Sequence, residues 1–267
     1  MQLAILLPTA ILLLTLPLMA DWRKEVTNRP PDPRFSTIKP VHLHYQMNWD
    51  GKINSGDMNI LIGRKDPRYP RYLITQIYGS STGLARGIYP YDYSFTSFLG
   101  KKNYLPSMFT ATETTRKTRC ETNNWYRPSV RSREITTPRQ KGKPSKTRNK
   151  TFSFSGAPIY DLASSLLYLR SLDLKTGQET VMVVHPFASP YLARIKVLRR
   201  EAHRGLNCLK MDLRLNKIGP DGKLLDYDKM KKATLWLSDD RERLPIEIRS
   251  EVFIGDVRAI LVGKKYL

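Results

Sequence analysis

The sequence predicts a mainly β protein: a curved antiparallel sheet or open β-barrel of roughly eleven or twelve strands wrapped round one amphipathic helix. Three observations lead there. From residue 41 onward, apolar and polar side chains alternate with a period of two over many short runs. One segment, 159–172, instead repeats its apolar residues at three and four. Short polar turns rich in Gly and Asp separate the runs at hairpin spacing.

The first twenty residues are uncharged and almost wholly apolar, ending in Leu18-Met19-Ala20 before Asp21. This reads as an export signal with a small residue at the cut. A single N-terminal membrane anchor is the alternative, because no Lys or Arg precedes the run and it is slightly long. No Cys follows it, which argues against a lipid-anchored form. The expected location is therefore exported, in the periplasm or cell envelope. Residues 21–40 carry Pro30, Pro31, Pro33 and Pro40 and few apolar side chains, so an extended arm is expected.

The domain proper is expected over 41–267. Val41, Leu43, Tyr45, Met47 and Trp49 alternate with His42, His44, Gln46 and Asn48, a strand with one apolar face. Asp50-Gly51 is a hairpin signal, since Gly tolerates positive φ. Return strands follow over 52–62 and 71–78, and further ones near 93–99, 107–114, 129–136 and 151–155. The helix stripe comprises Ile159, Leu162, Leu166 and Leu169, widened by Ala163 and Leu167, with Asp161 as N-cap and Arg170 in the last turn. A lone helix must bury its stripe, and a curved sheet supplies the apolar face. Alternation then returns in Leu209, Met211, Leu213 and Leu215, in Ala233, Leu235 and Leu237, and in Ile246 and Ile248.

The composition excludes several classes. At 40% hydrophobic and 10% aromatic residues the chain is too apolar to stay disordered. Two cysteines exclude a disulfide-dense scaffold and a Cys-only zinc site. In an oxidising compartment Cys120 and Cys208 are candidates for one disulfide, against two separate thiols. The net charge is +21 over 267 residues. Residues 116–150 hold twelve basic and two acidic residues, so almost half of that charge sits in one window. Its second half, 138–150, has few apolar residues and reads as a mobile loop inserted between strands.

Motifs of chemistry are weak. His42 and His44 share one strand face, but two ligands are too few for a metal without others, so no metal and no cofactor is expected. Asp239 and Asp240 suit a turn better than an acid–base pair. Gly79-Ser-Ser-Thr-Gly83 lacks the Lys of a nucleotide loop and reads as a flexible turn. No G-x-S-x-G, H-E-x-x-H or C-x-x-C occurs, and no catalytic residue is assigned.

Several segments together resemble a known family. These are Asp161-Leu-Ala-Ser-Ser-Leu-Leu-Tyr-Leu-Arg-Ser-Leu172 with Gly177, and Trp236-Leu-Ser-Asp-Asp-Arg-Glu-Arg-Leu-Pro245 with Ile248 and Gly255. Tyr45-Gln-Met-Asn-Trp49 with Gly51 and Gly56, and Leu84 to Ser97, add to them. They are similar to the bacterial exported family catalogued as domain of unknown function 3108, over nearly all of 41–263. The resemblance implies no catalytic residues. The strand–turn–strand ending is also similar to lipoprotein carriers of the LolA and LolB type. That analogy implies a curved sheet round a helix, with an apolar cavity for acyl chains. The chain departs from the family in its basic 116–150 segment and in Gly205-Leu-Asn-Cys208.

Two functional expectations follow. The first is a non-enzymatic envelope binding or carrier module for an apolar or amphipathic, lipid-like ligand. Its cavity would be lined by Met47, Trp49, Ile60, Ile62, Leu162, Leu166, Leu169, Met211, Leu213, Leu235 and Leu237, with a plain closed core as the bland reading. The alternative is binding of anionic lipid or an acidic envelope polymer through Arg127, Arg131, Arg133, Lys141, Lys143, Lys146, Arg148 and Lys150. Export argues against nucleic acid as the partner. The oligomeric state is not legible.

Overall fold

The computed structural model describes residues 21–267 apart from 228–229 and 253–254. The apolar segment 1–20, and with it the signal or anchor, lies outside the described residues. Eight strands form an antiparallel meander in chain order: β1 (Val41–Trp49), β2 (Ile53–Arg64), β3 (Tyr72–Ser81), β4 (Tyr91–Gly100), β5 (Pro106–Thr115), β6 (Thr118–Trp125), β7 (Val130–Pro138) and β8 (Lys146–Phe152). A short helix, α1 (Gly83–Ile88), joins β3 to β4. The chain then runs through β9 (Ile159–Tyr160) and helix α2 (Leu162–Arg170) into the second half. That half comprises β10 (Glu179–Val184), β11 (Tyr191–His203), β12 (Leu206–Ile218), β13 (Leu224–Asp226), β14 (Met230–Ser238), β15 (Pro245–Val252) and β16 (Gly255–Tyr266). β16 pairs with β1 and fuses the halves into one sheet that runs from β8 at one edge to β9 at the other. The two edges do not pair, so the curved sheet stays unclosed.

Local chemistry explains the register. Val41, Leu43 and Tyr45 are buried and His44 is exposed, as period two requires. Asp50 and Gly51 adopt φ of +48° and +68°, the conformation of a two-residue primed turn that matches strand twist. The inner face carries two packed clusters. One centres on β1–β5 and includes Ile60, Ile62, Phe95, Phe109 and Leu167, and the other lies under β10–β12 and β14 with Tyr168, Leu169, Met211 and Leu237. Helix α2 sits between them and touches both β3–β4 and β9–β10. A third cluster lies on the outer side, where Trp22 covers Val181, Val183, Leu192 and Ile218.

Four expectations need correction. There are sixteen strands among the described residues, because several strands lack a clean apolar alternation. β10 is buried on both faces, β6 turns polar residues inward, and the polar residues of β8 are exposed on both faces. The basic 116–150 segment is not an inserted mobile loop; it is folded as β6, β7 and the start of β8, leaving only short turns between them. Helix α2 begins at Leu162, so Ile159 belongs to β9 and Leu162, at the first helical position, is 38% exposed. The buried face runs through Ala163, Ser164, Leu167 and Tyr168. Gly79, Ser80 and Ser81 are strand residues of β3, and Gly83 opens α1.

The arm at 21–40 is extended but docked. The Thr27 backbone N–H donates to the Val181 carbonyl (2.8 Å), and the Val181 N–H donates to Thr27 Oγ1 (2.9 Å), so the arm covers part of the β10 edge. The Tyr168 hydroxyl donates to the Arg29 carbonyl (2.9 Å), tying the arm to α2.

Candidate functional site

Because β8 and β9 do not pair, the fold is closed at this seam by side chains and one loop. Residues 185–190, between β10 and β11, reach across it. Tyr126, directly after β6, donates its hydroxyl hydrogen to the His185 carbonyl (2.6 Å), and Asn124 Nδ2 of β6 donates to the Phe187 carbonyl (2.8 Å). This is why β6 carries polar residues inward. Phe187 then enters the interior, edge-on to Phe95 (5.1 Å between ring centres) and Phe109 (5.8 Å). Lys150 Nζ of β8 donates to the Ala188 carbonyl at 3.2 Å.

Outside these contacts the seam leaves a cleft of about 600 Å³. Its floor is apolar: Trp22, Phe152, Phe154 and Ile218. Trp22 and Phe154 stack at 5.6 Å, and Trp22 Nε1 donates to the Gly222 carbonyl (2.8 Å), which fixes the indole against the β12–β13 turn. Three cations, Arg23, Lys150 and Lys217, border the floor, with Asp221 as the carboxylate of the lining. His185 is buried in the wall. Burial pushes its imidazole down to about 4, and Lys150 adds to the effect, so the ring is neutral at pH 7. Its Nδ1 has no hydrogen-bond partner among the described residues. An apolar floor with a cationic rim fits a molecule with an apolar body and an anionic end. A comparably large cleft over β2–β4, about 580 Å³, is lined by Asp57, Asn59, Gln76 and Tyr78 and carries no cation.

The structure places the expected cavity liners elsewhere. Ile60, Ile62, Leu169, Met211, Leu235 and Leu237 are buried in the two inner clusters. Met47, Leu166 and Leu213 pack against those clusters, and Trp49 lies at the strand end with its Nε1 buried. None of the eleven borders the seam cleft. The residues that do, Trp22 in the arm and Phe152 and Phe154 at and just after the end of β8, are far apart in sequence. The signal available was an aromatic pair, Phe152-Ser-Phe154, directly after a basic strand.

The eight basic residues do not form one surface. Arg131 and Arg133 point to the outer face of β7, beside Trp125 and Asn123 of β6. Lys146, Arg148 and Lys150 of β8 pair with Thr136, Glu134 and Ser132 on the other face. Arg127, Lys141 and Lys143 sit in turns. Of the eight, Lys150 borders the cleft. Cys120 and Cys208 are separate free thiols, the second of the two alternatives: they lie on β6 and β12, with β5, β4, β3, β2, β1, β16, β15 and β14 between those strands in the sheet.

His42 Nε2 faces Asn59 Oδ1 at 2.8 Å and His44 faces Asp57 at 3.4 Å, both on the outer surface. Asp240 accepts hydrogen bonds from the backbone N–H of Glu242 and Arg243 (2.9 Å each), and Asp239 pairs with Arg200 (2.7 Å). Both aspartates serve the turn and its surroundings. Among the described residues no group of three or more His, Cys, Asp or Glu is placed to hold a metal ion, and no helix is long and apolar enough to cross a membrane.

Comparison with known proteins agrees with this architecture. Residues 44–262 match the family described as "Protein of unknown function (DUF3108)". No curated protein matches the chain. Among solved structures, the chain is similar to a β-barrel-like protein of domain of unknown function DUF1849 from Brucella abortus. The TM-score is 0.54 at 10% identity, covering 86% of this chain and 98% of that one, a likeness of fold.

Proposed function

The chain belongs to the DUF3108 family of proteins of unknown function, and from that premise we propose that it is a non-enzymatic binding or carrier module of the cell envelope for an amphipathic, lipid-like ligand. One observation carries the reading: the unclosed seam leaves a cleft of about 600 Å³ with an aromatic floor and a cationic rim. Its volume falls in the range of small-molecule sites, roughly 300–1,000 Å³. The packed inner clusters leave the seam, rather than the barrel interior, as the place for a ligand. An acyl chain would lie against Trp22, Phe152 and Phe154, and its anionic end would meet Lys150 and Lys217. The apolar leader at 1–20 supports an exported location.

The test is a titration of delipidated protein with a fluorescent fatty-acid probe. Saturable binding is expected, and Lys150→Glu together with Phe152→Ser should weaken it at least about tenfold, from a lost ion contact and lost apolar area. Absence of any acyl binding would remove the reading.

A further inference from the structure

The strand ends opposite the α2 end gather four turns at one pole of the sheet: 50–52, 82–90, 116–117 and 139–145. Hydrogen bonds join three of them into a continuous surface. Arg116 Nη2 donates to the Gly87 carbonyl (2.6 Å), Arg139 Nη1 to the Thr115 carbonyl (3.2 Å), and the Arg139 backbone N–H to the Lys117 carbonyl (2.9 Å). The fourth leads into β2, whose Ser55 carbonyl accepts the N–H of Thr82 (3.1 Å).

This pole exposes large apolar side chains that the fold leaves uncovered. Leu84 is 77% exposed, Ile88 73% and Tyr89 61%. Leu84 and Ile88 are four residues apart on α1, so they share one helix face. Around them stand Lys52, Arg116, Lys117, Arg139, Lys141 and Lys143, all exposed. Asp50 is the only carboxylate within the four turns. Arg86 is paired with Asp92 (2.7 Å) and adds little net charge. Protruding apolar residues inside a cationic collar are the combination that binds an anionic bilayer surface: the apolar tips enter the interfacial layer, and the cations meet the headgroups. Tyr suits that depth because its ring is apolar and its hydroxyl is not.

We propose that this pole is a membrane-docking tip, with Leu84, Ile88 and Tyr89 inserting into the interface of an anionic phospholipid bilayer and the turn cations holding its headgroups. The site is separate from the seam cleft and shares no residue with it.

The experiment is co-sedimentation of the chain with phosphatidylcholine–phosphatidylglycerol vesicles and with pure phosphatidylcholine vesicles, at low and high salt. The parent should bind the mixed vesicles, with salt weakening the interaction, and bind the neutral ones far less. Leu84→Ser with Ile88→Ser should lower partitioning to mixed vesicles at least about tenfold, given the apolar area removed. Lys117→Glu with Lys141→Glu should do the same, since each cation near the surface contributes and each reversal removes more than its charge. Both pairs should leave fatty-acid probe binding and the urea midpoint unchanged, because the altered side chains point into solvent. Equal binding of parent and L84S/I88S, as an anchor in the leader would give, overturns the proposal. So does equal binding to neutral and anionic vesicles.

Discussion

Asp161 offers the clearest link from one side chain to a measurable free energy. It is fully buried at the start of α2. Its Oδ1 accepts the Ser164 N–H (2.7 Å), and the Ser164 hydroxyl oxygen accepts the Asp161 N–H (2.7 Å), a reciprocal cap. Its Oδ2 has no partner among the described residues. Burial raises the carboxyl from its ordinary 3.8 to about 6, although the hydrogen bond from Ser164 opposes the rise. A carboxyl raised on folding gives stability that is present below about 4 and is lost as pH climbs through 6. At roughly 1.4 kcal/mol per pH unit, the loss is about 3 kcal/mol. Asp161→Asn keeps a cap of equal rank but never ionises. Urea unfolding of parent and D161N at pH 4, 5, 6 and 7 should therefore show a gap that opens with pH. Because the unfolded carboxyl is already partly ionised at pH 4, the gap should favour D161N by about 2 kcal/mol more at pH 7 than at pH 4. A gap independent of pH would refute the reasoning.

Further consequences can be checked together. Gly79→Ala places a methyl against the Asp57 carbonyl oxygen and within 2.7 Å of the Tyr93 hydroxyl, so denaturant unfolding should show a loss of about 2 kcal/mol or more. Glu247 is fully buried. Burial favours its neutral form, but Arg204 (2.7 Å), Arg249 (2.9 Å) and His203 (2.9 Å) outweigh this and hold the carboxyl below its usual range. Glu247→Gln should cost about 3 kcal/mol at pH 7, and the cost should shrink as pH falls below 4.5 through the folded value. Alkylation of the unfolded, unreduced chain should add two groups, one on Cys120 and one on Cys208, with mass spectrometry reading the increment; a chain that resists until reduced would contradict the separate thiols.

Strands with one solvated face were legible in the sequence, because alternation there is enforced by water on one side. β1 is of this kind, with Val41, Leu43 and Tyr45 buried and His44 exposed. β10 was not, since Trp22 and the arm cover its outer side and both faces become apolar. β6 was hidden for the opposite reason: Asn124 and Tyr126 point inward to hold the 185–187 carbonyls, which breaks the apolar period. The helix was readable from Asp161 and its spacing, but its register was not. With clusters on both sides, nearly the whole circumference is buried, Ser164 and Arg170 included. Charge density in 116–150 suggests a loop, although strand alternation simply divides those cations between two faces. The cleft escaped the sequence because its floor joins residue 22, residues 152–154 and residue 218, which only the topology brings together.

The central claim is that the seam binds an amphipathic anion. A crystal structure of the chain grown with dodecanoate tests it most directly. The alkyl chain should lie against Trp22, Phe152 and Phe154, with the carboxylate within ion-pair distance of Lys150 or Lys217. A structure at saturating dodecanoate with the seam cleft holding only solvent, or with the alkyl chain bound elsewhere, would contradict it.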